Sequence, residues 1–190
     1  MKRNGLFISI LVFVSLLTGC KSNSTESTDD NSTLTYGGKT YNIVQIGSQY
    51  WLKENLNIGS MIQSSQGTSS NGIIEKYCYN NDSNNCKIYG GLYQWNEAME
   101  YSSVAGAQGI CPSGWHIPTV AEYTTLNNTV NNVNALKAIG QGTGTGTGTN
   151  VSGFSAMLAG WGSNNSNFYG LDSTAVFWTS TASDKNDAGS

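Results

Sequence analysis

The first twenty residues decide which part of this 190-residue chain is free to fold. Met1-Lys2-Arg3-Asn4 is a short basic start, and Leu6 to Leu17 is almost wholly apolar. The small residues Thr18 and Gly19 then lead to Cys20. A basic segment, a short apolar run and small residues before a cut are the layout of a secretory signal. The run is about a dozen residues, whereas a bilayer-spanning helix takes about 20. A single-pass anchor is therefore the weaker reading, and residues 1–19 read as a signal peptide.

The ending Leu17-Thr18-Gly19-Cys20 resembles the lipobox of bacterial lipoproteins. That resemblance implies a lipidated Cys20 sulfur, cleavage just before it, and a membrane attachment through the N-terminal lipid. An ordinary signal peptide with a coincidental Cys is the alternative. Residues 21–33 carry no apolar side chain and have nothing to bury. Residues 20–35 thus read as a lipidated Cys and a disordered tether, with a single domain over 36–190. Lys21 rather than Asp after the Cys implies sorting to the outer membrane of the bacterial envelope, with the periplasmic or surface face left open.

Processing sharpens the composition. Removing Lys2 and Arg3 leaves 7 basic against 12 acidic residues and no Arg at all. Only 11% of residues are charged, against about 25% in an ordinary soluble domain. The polar surface is built instead from Asn, Ser, Thr, Gln and Gly. An acidic balance excludes nucleic acid as a partner, because phosphate contacts need a basic face. A single His excludes a multi-His metal site and paired-His catalysis. No cofactor is expected.

Thr40-Tyr41-Asn42-Ile43-Val44-Gln45-Ile46 and Gln49-Tyr50-Trp51-Leu52 flank Gly47-Ser48 and predict a hairpin. Residues 57–72 read as loop, and 73–79 as another strand. Apolar residues at 92, 95, 98 and 99 predict a helix over 91–102. Thr119 with Glu122 is a capping box opening a second helix from Pro118 to about Asn131. Val133 to Ile139 extends it or forms a short turn. Gln141 to Asn150 holds four Gly-Thr steps and is loop; no Lys-Ser/Thr follows to make it a phosphate cradle. Residues 154–158 and 176–179 read as buried strands around an Asn164-Asn165-Ser166-Asn167 loop. The class is α+β with a largely antiparallel sheet.

Six blocks occur in a recognisable order. They are Tyr41 to Leu56, then Tyr77-Cys78-Tyr79-Asn80-Asn81-Asp82, then Tyr89-Gly90-Gly91-Leu92-Tyr93-Gln94-Trp95. Cys111-Pro112-Ser113-Gly114-Trp115-His116-Ile117-Pro118-Thr119, Gly153-Phe154-Ser155-Ala156 and Phe177-Trp178-Thr179-Ser180-Thr181 follow. Together they resemble the Fibrobacter succinogenes major paralogous domain, a family of secreted and lipid-anchored bacterial proteins with no established activity. The Gly-Trp-His-x-Pro-Thr and Trp-x-Ser-Thr segments are also similar to the C-type-lectin-like fold. That similarity implies two helices with a small antiparallel sheet, a module shared by lectins, adhesins and formylglycine-generating enzymes. Fold alone does not fix function.

With Cys20 assigned to lipid, Cys78, Cys86 and Cys111 remain, an odd number in an oxidising compartment. Cys78 and Cys86 enclose seven turn-forming residues, which suits a local disulfide; two free thiols is the alternative. Cys111 is then unpaired. Family members continue past the Trp-x-Ser-Thr segment to a Cys-bearing strand, so the resemblance implies that the domain lacks its last strands. The alternative is that Cys111 pairs with another chain.

No triad or paired-carboxylate constellation is visible, so no catalytic residue is assigned. His116 reads as a packed or turn-bonded side chain, and Glu97, Glu100 and Glu122 as solvated or capping residues. Trp51, Trp95, Trp115 and Trp178 read as core. Trp161 stands between two glycines ahead of Asn164, Asn165 and Asn167, and is the exposed exception. An exposed ring stacks on a sugar face while neighbouring amides bond its hydroxyls. Calcium-dependent binding needs clustered oxygens; Asp172, Asp184 and Asp187 are candidates, but no Glu-Pro-Asn or Gln-Pro-Asp occurs and no metal site is assigned. The expectation is a non-enzymatic, surface-tethered binding or adhesion module for a glycan. The rivals are a structural envelope lipoprotein without a small ligand, a formylglycine-generating type of enzyme, and a hypervariable ligand-display protein.

Overall fold

The computed structural model describes residues 33–181 and, in the N-terminal segment, the backbone of Ile8–Ser9 and Phe13–Val14. The latter two are short strands, β1 (Ile8–Ser9) and β2 (Phe13–Val14). The rest of the signal and tether, Cys20 included, lies outside the described residues.

Strands β3 (Thr33–Tyr36), β4 (Lys39–Ile46) and β5 (Gln49–Leu52) form an antiparallel sheet, with β2 on the far edge of β5. Gly37 and Gly38 both adopt positive φ (57° and 76°) between Tyr36 and Lys39. Two such residues make the hairpin turn whose twist matches the strands it joins. Strand β3 begins at Thr33, within the stretch expected to be tether. The expected 40–52 hairpin is present, with Ile46 opposite Gln49 across Gly47-Ser48. Tyr41, Trp51 and Leu52 are fully buried on it.

The next strands are much shorter than expected. β6 (Ser60–Met61) and β7 (Glu75–Lys76) pair in parallel. Tyr79–Asn81 is a 3-10 turn, where residues 73–79 were expected to form a strand. Helix α1 (Ser83–Tyr89) was not foreseen. Asp82 caps it by accepting from the Asn84 amide, and Gly90 ends it at φ 85°. β8 (Leu92–Tyr93) and the single turn α2 (Trp95–Ala98) occupy the stretch expected to be one helix. The helix is interrupted because Leu92 exchanges both backbone bonds with Tyr77 (2.8 and 2.9 Å) and because Glu100 and Tyr101 take left-handed φ.

Helix α3 (Val120–Val130) matches expectation. Thr119 and Glu122 complete the reciprocal capping box, and Asn131 stops the helix in the left-handed conformation. A separate turn, α4 (Val133–Leu136), follows under an Asn132 cap. The Gly-Thr segment is loop around one 3-10 turn, Gly144–Gly146. β9 (Ala159–Gly162) and β10 (Phe168–Leu171) form an antiparallel hairpin. Neither 154–158 nor 176–179 is a strand; Ala156 and Ala175 each make one isolated bridge. The described residues form a mixed α/β arrangement with four helices and small, mostly antiparallel sheets.

One apolar cluster joins Tyr41, Leu52, Ile58, Met99, Ile110 and Trp115 beneath the main sheet. A second packs Trp51 against Leu126 and Phe154, with Tyr123 and Phe177 at its border. A third, of Tyr77, Tyr79 and Leu92, reaches Phe168 and Leu171 and so seats the β9–β10 hairpin.

Candidate functional site

The β9–β10 register places Tyr169 directly opposite Trp161. Opposed residues in a hairpin share one face, and the two rings meet at 5.0 Å between centroids with planes 33° apart. Trp161 is half-buried, not exposed as expected; Tyr169 is the exposed ring, 41% accessible. The turn is closed by Ser163, whose amide donates to the Asn167 carbonyl (2.9 Å). The Ser163 hydroxyl donates to Asn165 Oδ1, and Asn165 Nδ2 donates to the Tyr169 hydroxyl (3.4 Å). Donation from Asn165 holds the Tyr169 phenol below its usual pKa; desolvation opposes it, and Asn167 and Ser163 add smaller effects in the same direction as Asn165.

The facing wall is the Tyr79–Asn81 turn. Asn80 and Asn81 take φ of 54° and 57°, and Ser166 on the hairpin takes 67°. Left-handed backbone suits Asn better than most side chains, and a cluster of such residues is a mark of functional surfaces. Ser64 ties the two walls together. Its amide donates to Asn81 Oδ1 (2.8 Å), its hydroxyl accepts from Asn81 Nδ2 (3.1 Å), and the same hydroxyl donates to the Ser166 carbonyl (2.9 Å). The Tyr79 and Phe168 rings meet at 5.3 Å between centroids with planes tilted by 45°. Gly160 permits this approach: a Cβ there would lie 2.5 Å from the Tyr169 carbonyl oxygen and 2.7 Å from the Tyr79 ring.

The walls enclose an open cleft of about 400 Å³ lined by Asn80, Asn81, Ser166, Asn167, Phe168 and Tyr169. Of the residues expected to bind ligand, Asn167 lines it and Trp161 supports its exposed ring. Asn164 and Asn165 sit exposed at the hairpin tip, outside the lining. Tyr169, Asn80 and Asn81 were missed. The Trp161–Tyr169 alternation around an Asn-rich turn was a signal for the hairpin, whereas nothing local joins Asn80 to Asn167.

The remaining candidates fall elsewhere. His116 Nε2 contacts both Glu122 oxygens at 3.0 Å, a turn-bonded role as expected. Burial opposes ionisation of Glu122, but hydrogen bonds from His116 and Thr119 outweigh it and hold the carboxyl below its usual range. Glu97 is not solvated: it is 3% exposed and accepts from the Glu75 amide (2.9 Å) and the Tyr101 hydroxyl (2.9 Å). Burial pushes its carboxyl up. Glu100 is exposed beyond the end of α2 and caps nothing. Trp51 and Trp115 are core, while Trp95 and Trp178 are half-buried. Asp172 accepts from the Tyr89 hydroxyl (3.3 Å); Asp184 and Asp187 lie outside the described residues. Among the described residues no three His, Cys, Asp or Glu side chains converge as a metal site.

Cys78 and Cys86 form the expected disulfide, their Cα atoms 5.0 Å apart. It joins the foot of the Tyr79–Asn81 wall to α1. Cys111 is unpaired and fully buried, and burial raises its thiol pKa well above normal. No helix among the described residues is long and apolar enough to cross a membrane.

No curated protein and no solved structure matches the chain. A family model does, over residues 44–190, and the chain belongs to the family that it describes, the Fibrobacter succinogenes major domain.

Proposed function

We propose that this chain is a bacterial lipoprotein tethered to the cell envelope through Cys20, carrying a non-enzymatic binding module whose ligand is a glycan. The observation that carries the reading is the cleft between the Asn80-Asn81 turn and the β9–β10 hairpin. It combines an exposed ring, Tyr169, backed by Trp161, with the amides of Asn80, Asn81 and Asn167, of which Asn81 is held by Ser64. Flat apolar ring faces suit the C–H face of a pyranose, and preorganised amides suit its hydroxyls without a large ordering cost. The C-type-lectin-like fold fits a small α/β module of this kind. The lipobox-like Leu17-Thr18-Gly19-Cys20 and the polar stretch after it support envelope tethering, toward the outer membrane.

An enzyme of the formylglycine-generating type needs reactive sulfur at its cleft. Here Cys78 and Cys86 are 1% and 3% exposed and bonded to each other, and Cys111 is inaccessible, so the binding reading is favoured. The test is a glycan array probed with the full chain in detergent, with and without calcium. Binding that is lost in Tyr169→Ala and weakened in Trp161→Ala is the expected result. No binding to any polysaccharide under either condition would overturn the reading in favour of a structural envelope lipoprotein.

A further inference from the structure

The chemistry of the cleft narrows the class of glycan. All six lining side chains are neutral. The nearest charges along the chain are two carboxylates that bracket the two walls. Asp82 directly follows Asn81, and Asp172 directly follows β10; both are exposed. Asp82 is held in place as the cap of α1, and Asp172 by the Tyr89 hydroxyl.

Among the described residues, none of the lysines lines the cleft, and three have partners of their own. Lys87 donates to Asn84 Oδ1 (3.0 Å), Lys137 donates to the Gly146 carbonyl, and Lys39 lies over the Tyr41 ring at 5.4 Å. The chain beyond Arg3 has no Arg to offer a carboxylate or sulfate a bidentate partner. A uronate, sialate or sulfated sugar would therefore enter a cleft whose lining offers it no cation, losing hydration without a compensating ion pair from that lining. A neutral sugar meets only rings, amides and hydroxyls. The cleft is open rather than enclosed, so a sugar within a polymer can reach it without a free chain end.

We infer that the cleft binds an uncharged polysaccharide along its chain and discriminates against acidic ones. This rests on the glycan reading above. The test compares the full chain in detergent on neutral polymers (β-glucan, xylan, mannan) and acidic ones (polygalacturonate, alginate, heparin), at low and high salt. At least tenfold tighter binding to a neutral polymer is expected, with little change on raising salt, since no charge pair is there to be screened. The variant Asn167→Lys, at an exposed hairpin position, is expected to shift binding at least severalfold toward acidic polymers and to make it salt-sensitive. Equal or tighter binding of an acidic polymer by the unmodified chain would overturn the inference and leave the glycan reading standing. Binding of neither class would remove both.

Discussion

The indole nitrogen of Trp178 donates to the backbone carbonyl of Tyr93 at 2.8 Å, across 85 residues of sequence. The reciprocal bond runs close by: Trp95 Nε1 donates to the Thr179 carbonyl at 2.8 Å. Two tryptophans thus hold the last described segment against β8 and α2, where no strand pairing does so. Ser180 completes the clamp; its amide donates to the Pro118 carbonyl and its hydroxyl accepts from the Gly106 amide. The Trp-x-Ser-Thr motif docks this segment.

Replacing Trp178 by Phe keeps an apolar ring and removes the donor. Loss of one partly buried hydrogen bond costs about 1–3 kcal/mol. Trp95→Phe should cost a similar amount. Because both bonds fasten the same segment, the double variant should fall short of the sum. Urea midpoints at constant m-value check this; strict additivity would show that the two indoles act separately.

Two glutamates should shape the pH dependence of stability in opposite directions. Glu122 has a lowered folded pKa, so its contribution is present above the ordinary value of 4.5 and is lost as pH falls through the folded value. Glu97 has a raised folded pKa, so its contribution is fullest below 4.5 and is lost as pH rises through the folded value. Glu122→Gln should therefore destabilise at neutral pH and flatten the acid side. Glu97→Gln should stabilise at neutral pH relative to acid. Thermal unfolding of each variant between pH 3 and 8 measures both slopes; a Glu97→Gln curve parallel to that of the parent chain would show that this carboxyl is not perturbed.

Removing the Cys78–Cys86 bond frees a loop of eight-residue separation. Chain-entropy reasoning puts the loss at about 2–3 kcal/mol. The effect should be felt at the cleft as well, since Cys78 directly precedes the Tyr79–Asn81 wall. A Cys78→Ala/Cys86→Ala variant should lower the unfolding temperature and weaken polysaccharide binding together. Cys111 should stay inert to thiol reagents until the protein unfolds, as mass spectrometry of labelled peptides would show.

Legibility followed the range of the interaction. The β4–β5 hairpin and the α3 capping box were readable because their determinants lie within a few residues: Gly47-Ser48 for one, Thr119 and Glu122 for the other. The 91–102 stretch was misread because its apolar spacing fits a helix, yet Leu92 and Tyr93 are buried by strand contacts with residues far away. The Phe177-Trp178 run looks like a strand for a similar reason. Its burial comes from indole bonds, which leave no periodic trace. The cleft was half legible: Asn167 and Trp161 stand out locally, but their partner wall is brought in by Ser64, a residue with no distinguishing context.

The N-terminal strands make the last prediction. β1 sets Ile8 opposite Tyr93 and Ser9 opposite Leu92, while β2 sets Phe13 opposite Trp51 and Val14 opposite Tyr50. Two short strands therefore lie along the edges of β8 and β5. A chain beginning at Cys20 loses these partners, and strand edges that lose partners are prone to pair with other chains. Hydrogen exchange at the amides of Tyr50, Trp51, Leu92 and Tyr93 should be faster in that shortened chain than in the full one. The shortened chain should also associate more strongly as its concentration rises, measured by light scattering after size exclusion. Unchanged exchange at all four amides would show that β1 and β2 do not protect these edges in solution.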